Sequence, residues 1–195
     1  MRRALLTGVG AAVLVAVVAV GLSQTHSNNA APHSAAPSPA QTEAALAGSP
    51  PPLAALHRQA GALLAGGPAA FERTLGALRG YTVVVNRWGS WCGPCRAEFP
   101  VFQRASIELG RRVAFLGLDG ADNAGDARSF LRRFPVSYPS LQDPDESIAH
   151  SLSLPSSYPE TIYFDPHGRQ SFIHQGPYKQ PADLVRDVQR YGKAA

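Results

Sequence analysis

Cysteine is scarce in this 195-residue chain: there are two, Cys92 and Cys95. No disulfide framework can therefore hold the fold together, and a disulfide-linked dimer would have to give up that pair. The expected state is a monomer. Charge is also sparse, at 16% of residues, and only Lys179 and Lys193 of the 18 basic residues are lysines. Outside the N-terminus the only basic pairs are Arg111-Arg112 and Arg132-Arg133, so the net charge of +4 forms no stripe. That distribution belongs to solvated helices and argues against a nucleic-acid partner. No internal repeat is present. No histidine pair has metal spacing, so a zinc site lacks its remaining ligands and no metal centre is expected. His57, His150, His167 and His174 are scattered singles, expected at the surface or in a hairpin. Haem attachment needs a histidine after the second cysteine, where Arg96 stands.

What is abundant is apolar, 45% of the chain, enough for a packed core. Part of it lies at the start. Met1-Arg2-Arg3 precedes the uncharged run ALLTGVGAAVLVAVVAVGL at 4–22. At ~1.5 Å per residue such a run nearly spans a ~30 Å hydrocarbon layer, and it is longer than the ~7–15 residues usual for a cleaved signal. Residues 1–22 are expected to be a transmembrane signal-anchor, with a cleaved signal peptide as the alternative. The positive-inside rule keeps Arg2 and Arg3 in the cytoplasm and places the rest of the chain outside it. The alternative outcome is a secreted protein. No cysteine lies near residue 22, so a lipid anchor on cysteine is excluded. Residues 23–52, rich in Ala, Pro and Ser, read as a flexible or partly extended tether that includes His26 and His33.

The folded domain is expected over 53–195. Residues 53–80 read as a helical N-terminal extension, with Leu53, Leu56, Ala60, Leu63 and Leu64 at helical spacing up to Gly66-Gly67, and a second helix after Pro68. YTVVVNRW at 81–88 and RVAFLGLD at 112–119 read as buried strands. A helix runs from the cysteines to Gly110, bent at Pro100, and another covers 123–134. PDESIAHSL is a short helix. TIYFD at 161–165 and QSFIHQ at 170–175 flank a Pro166-His167-Gly168 turn as a hairpin, and 181–191 closes the chain as a helix. The order βα-βα then ββα implies an α/β fold, a central mixed sheet flanked by helices.

This places the cysteines. Cys92 follows a buried strand and opens a helix, where unpaired N–H groups and the positive helix end lower a thiol pKa. That makes Cys92 the nucleophile. Cys95, one helical turn on, can resolve a mixed disulfide. Gly93 allows the tight turn, and Pro94 suits a first helical turn. An inert structural disulfide is the bland alternative, but a loop this short contributes little entropic stabilisation. A copper-binding assembly chaperone is another, since thiolates bind copper.

VVVNRWGSWCGPCRAEFP is similar to the TlpA/ResA-type thiol-disulfide oxidoreductases. The likeness runs on through the YPSLQDPD segment to YPETIYFDPHGR, over roughly residues 75–192. It implies a thioredoxin-like fold, no cofactor, and an enzyme that is usually extracytoplasmic and membrane-tethered. It implies that Trp91 shapes the docking surface beside a redox-active Cys92–Cys95 pair, and that Pro159 is the cis-proline facing it. Tyr158 would then offer free backbone groups to an extended substrate. Glu98 would exchange a proton with Cys95, and Glu160 would take part in substrate selection. The competing reading makes both carboxylates surface charges, and Trp91 a core residue. Asn86 stands where thioredoxin has a buried aspartate, which favours the TlpA branch. Arg87 replaces an apolar residue and has no account from sequence. The implied function is reduction of disulfides in exported proteins such as apocytochrome c, fed by a membrane thiol-electron donor. The reverse, an oxidase that installs disulfides, is the alternative.

Overall fold

A computed structural model describes residues 37–193. The expected anchor at 1–22, and the tether up to residue 36, lie outside that range.

The rest of the expected tether is helical. Helix α1 (Pro39–Leu46) starts at Ser38, whose hydroxyl accepts from the Gln41 N–H while the Gln41 side chain accepts from the Ser38 N–H. This reciprocal cap and Pro at the first helical position start a helix inside a composition that otherwise reads as linker. Leu46 anchors it in the core. Helix α2 (Pro51–His57) buries Leu53 and Leu56. The long helix expected up to Gly66-Gly67 does not form. After His57 the chain turns, and Leu63–Leu64 become strand β1, parallel to Ser140–Leu141. Helical spacing at Leu63 and Leu64 is overridden by backbone pairing, beginning with Ser140 N–H to Ala62 C=O at 2.8 Å. Gly66 then lets the chain pass the sheet: a Cβ there would lie 1.6 Å from the Gln142 carbonyl oxygen.

Helix α3 (Pro68–Ala77) leads to β2 (Thr82–Trp88), α4 (Gly93–Leu109), β3 (Val113–Gly120) and α5 (Ala124–Arg133). Pro100 lies inside α4. β4 (Ser140–Asp143), α6 (Ser147–Ser151), the β5 (Glu160–Phe164) and β6 (Gln170–Gln175) hairpin, and α7 (Pro181–Tyr191) complete the chain. The six strands are ordered β1-β4-β3-β2-β5-β6. The first four pair in parallel; β5 and β6 are antiparallel.

β2 lies inside the sheet and is buried on both faces. Its alternating residues therefore enter two cores. Val84 and Trp88 pack with Phe99 and Phe102 of α4, Phe130 of α5, and Leu184 and Val188 of α7. Val83 and Val85 pack with Leu53 and Leu56 of α2, Phe71 of α3 and Ile148 of α6. Between these apolar positions stand two polar residues, Asn86 and Arg87, each essentially without solvent exposure. By alternation Asn86 belongs to the α4 face and Arg87 to the opposite one.

Candidate active site

The site lies where β2 ends. Trp88 seals it from below, edge-on to Phe99 at 5.2 Å and stacked on Phe130 at 4.9 Å. The chain then crosses to α4 through Gly89, Ser90 and Trp91, with the Ser90 N–H and hydroxyl both donating to the Asp122 carboxylate. Cys92 is the N-cap of α4, and its Sγ accepts the Cys95 N–H at 3.1 Å. The sulfur thus occupies the place of a capping oxygen, where helix-end N–H groups favour a thiolate. Cys92 and Cys95 form a disulfide, with 5.3 Å between their Cα atoms. Gly93 and Pro94 make the first helical turn between them. Cys95 is fully buried and Cys92 is 3% exposed. What little of the pair meets solvent belongs to Cys92, the residue at the helix end.

Trp91 is not a core residue. It is 54% exposed, and no other large hydrophobic among the described residues is so exposed. Its indole N–H donates to the Ala121 carbonyl at 3.1 Å, and its ring meets the edge of Tyr158 at 4.8 Å. The Tyr158–Pro159 bond is cis. β5 pairs with β2 so that Glu160 is level with Arg87, which brings Pro159 level with the end of β2. The Pro159 carbonyl accepts from Gly176 N–H, whereas the Tyr158 main chain makes no hydrogen bond to another described residue. Gly120 lets the Tyr158 ring approach: a Cβ there would lie 2.1 Å from the tyrosine oxygen.

Glu98 is buried on α4, one turn beyond Cys95, and is not a surface carboxylate. One oxygen accepts the Tyr178 N–H at 3.2 Å, and Oε1 has no partner. Burial pushes its pKa up to about 8 against the opposing pull of the Tyr178 N–H and the nearby Asn86 amide. Neither polar atom of that amide closes a hydrogen bond of full geometry, nor does the Tyr138 hydroxyl beside it. At neutral pH this buried cluster on the α4 face is a set of neutral polar groups, with a carboxyl that is mostly protonated.

Glu160 is likewise buried rather than a surface charge. It accepts from Arg87 at 2.8 Å and from the Ser157 hydroxyl at 2.7 Å. Arg87 also donates to Glu146 and to the Pro155 carbonyl, and its guanidinium lies 4.2 Å from the Tyr158 ring centre. Burial opposes its charge, but Glu160, Tyr158 and Glu146 together outweigh that and hold its pKa above the ordinary value. Sequence reasoning left Arg87 unexplained. It missed Asp119 altogether. Asp119, one residue before the end of β3, is fully buried with both carboxylate oxygens unpartnered, and its pKa is pushed up to about 8 by burial and then by Asp122 and Asp143. The available signal was an aspartate at the carboxyl end of an apolar strand, where crevices of parallel sheets form.

Residues 59–191 match the family described as Redoxin. Among curated proteins, the chain is 37% identical over 95 residues to the "thiol:disulfide interchange protein DsbE homolog" of Paracoccus denitrificans, covering 48% of this chain and 50% of that protein. It is 26% identical over 96 residues to the "thiol-disulfide oxidoreductase ResA" of Bacillus subtilis, covering 49% and 53%. The chain spans about half the length of these relatives. Among solved structures it is similar to DsbF of MTB, in mixed oxidised and reduced forms, at 27% identity and a TM-score of 0.54 over 59% of this chain and 84% of that one. A DsbF homologue from Corynebacterium diphtheriae agrees at 27% identity and TM-score 0.54, over 60% of this chain and 75% of that one. The mixed sheet with helices on both faces is thus the thioredoxin-like α/β fold.

Proposed function

The chain belongs to the redoxin family, and from that premise we propose that it is a thiol-disulfide oxidoreductase that reduces disulfides of exported proteins. The carrying observation is the placement of the two cysteines: Cys92 caps α4 directly after exposed Trp91, just past the strand end that cis-Pro159 faces, while Cys95 is fully buried one turn on. In the reduced protein the Cys92 thiolate attacks a substrate disulfide and forms a mixed disulfide. The first substrate sulfur leaves as a thiolate and takes a proton from water. The ionised fraction of Glu98, the minority at neutral pH, takes the Cys95 proton, and the Cys95 thiolate attacks the Cys92 sulfur. The mixed disulfide breaks, the second substrate sulfur leaves, and the two electrons of the enzyme dithiol have passed to the substrate. When a thiol donor restores the pair it attacks Cys92, and the leaving Cys95 sulfur recovers its proton from Glu98. A carboxyl with a pKa of about 8 suits both directions, since it holds and releases a proton near neutrality.

The physiological setting extends this reading. The apolar run at 4–22 anchors the domain on the outer side of a membrane. The donor is a membrane thiol transporter, and the clients are exported proteins with paired cysteines, apocytochrome c among them. The names of the relatives, thiol:disulfide interchange protein and thiol-disulfide oxidoreductase, support the chemistry. Gly93-Pro94, the dipeptide of reducing thioredoxins, supports the direction. The reduction potential of the pair tests it. A value near ~−270 mV is expected, and one near ~−120 mV would reassign the protein as an oxidant that installs disulfides. Cys92→Ser should abolish reduction of insulin disulfides by the reduced protein; full activity in that variant would end the catalytic reading.

A further inference from the structure

One charged side chain next to the site makes no contact with either sulfur. Arg87 is 1% exposed, yet its guanidinium is engaged by four partners. Nη1 donates to Glu160 at 2.8 Å and to the Pro155 carbonyl at 2.6 Å, Nη2 donates to Glu146, and the cation faces the Tyr158 ring at 4.2 Å. Each partner belongs to the segment that carries the cis-proline or braces it. Pro155 opens the loop, Tyr158 precedes Pro159, and Glu160 follows it. Glu146, in the left-handed conformation at the N-cap of α6, accepts the Tyr158 hydroxyl at 2.6 Å. Ser157 is fixed through Glu160. On its other side Tyr158 packs against Trp91, whose indole N–H is tied to Ala121. The result is a continuous stack from a buried cation, through a half-buried tyrosine, to the most exposed aromatic residue beside Cys92.

We propose that Arg87 is a positioning residue for substrate docking, which locks the Tyr158–Pro159 loop against Trp91 in the geometry that an extended cysteine-bearing peptide needs. The proposal rests on the disulfide-exchange reading and names a specificity element of that same site. A preformed edge spares an incoming peptide the ordering of the loop and of two aromatic side chains. Tyr158 supplies that edge with an unpaired main chain, and the stack supplies the apolar platform. A planar fork is needed for this. Only arginine can reach several acceptors in one plane while laying its face on an aromatic ring; a lysine ammonium makes one compact contact. Small disulfides need only the Cys92 sulfur, so they should not register the loop.

Two variants and two substrates test this. Arg87→Lys keeps a cation for Glu160 and guards against loss of the fold, and Arg87→Met removes the cation. Each is assayed in the reduced state with oxidised glutathione and with a disulfide-bonded peptide pair, and the potential of the Cys92–Cys95 couple is measured alongside. Arg87→Lys should raise KM for the peptide disulfide about tenfold, the equivalent of one lost contact of ~1.4 kcal/mol. Its peptide kcat, its glutathione turnover and its potential should stay within about twofold, or the equivalent shift, of the parent. Arg87→Met should raise the peptide KM further. A peptide KM unchanged in Arg87→Lys would overturn the proposal, as would a parallel loss for both substrates. A parent protein that reduces neither substrate would remove the exchange reading itself, and the proposal with it.

Discussion

Asn86 and Arg87 are neighbours on one strand, and they teach opposite lessons about buried polarity. On the α4 face, Asn86, Glu98 and Tyr138 keep polar atoms without partners, and Glu98 avoids charge by holding its proton. On the other face, Glu160 and Glu146 both pair with Arg87 and almost every donor and acceptor has a partner; the Arg87 Nε is the exception. Burial penalises an ion in both places. One cluster answers by neutralising, the other by pairing. The difference matches the tasks assigned to them. A group that must give and take a proton cannot be locked into an ion pair, while a loop that must stay still gains from one.

The largest effect should come from unpairing the saturated side. Glu160→Gln leaves the Arg87 cation buried with one carboxylate fewer, and breaking a buried pair in this way costs about 3–5 kcal/mol. Urea unfolding of the oxidised protein at pH 7 measures it. Replacing both partners, Arg87→Met with Glu160→Leu, should recover most of the loss, because the one carboxylate left without the guanidinium, Glu146, is partly exposed and keeps the Tyr158 hydroxyl. A single substitution that costs under about 1 kcal/mol would show that the pair is not what holds this face.

The unsaturated side should respond to pH instead. The folded pKa of Glu98, about 8, lies above the ordinary 4.5, so the folded state binds more protons than the unfolded state between those values. The stability due to neutral Glu98 is fully present below pH 4.5 and is lost as pH rises through about 8. Each such proton gives a slope of about 1.4 kcal/mol per pH unit within the window. Asp119, raised from 3.8 to about 8, adds a second. Glu98→Gln should remove one proton from that slope and make the variant the more stable protein at pH 8, the opposite sign to Glu160→Gln. Unfolding free energies at pH 5, 6, 7 and 8 decide it, and identical slopes in parent and variant would overturn the assignment.

The same two faces mark where sequence reading succeeds and fails. β2, β3 and the β5–β6 hairpin were legible because their apolar runs and turn residues are local. α5 and α7 were legible from helical periodicity, and Cys92 and Cys95 from their spacing together with their place at a helix start after a strand. β1 and β4 were not, since two and four residues carry no period and each forms only by pairing across the sheet. α1 was hidden because its cap lies in a stretch whose composition reads as linker. Glu98, Trp91 and Pro159 were placed by family likeness, and their burial or exposure had to come from the fold. Arg87 was opaque for a physical reason: its partners Glu160 and Glu146 lie 73 and 59 residues away. Nothing near it in the chain announces that a carboxylate waits across the sheet.

The smallest effect on stability should come from the residue at the outer end of the Arg87 stack. Trp91→Ala removes one aromatic contact, to Tyr158, and one hydrogen bond, to the Ala121 carbonyl. Half of the side chain already faces water, so little apolar area returns to solvent, and water can satisfy the freed carbonyl. An aromatic pair contributes about 0.5–1.5 kcal/mol and an exposed hydrogen bond little more. The loss should therefore stay near 1 kcal/mol, a fall in Tm of about 2–4 °C for a domain of this size. Thermal unfolding of the oxidised variant beside Glu160→Gln gives the ratio directly. A loss as large as that of Glu160→Gln would make Trp91 a structural support of the loop. A small one leaves the stack with a graded design, rigid at its buried ion pair and open at its aromatic tip, where a partner chain would have to land.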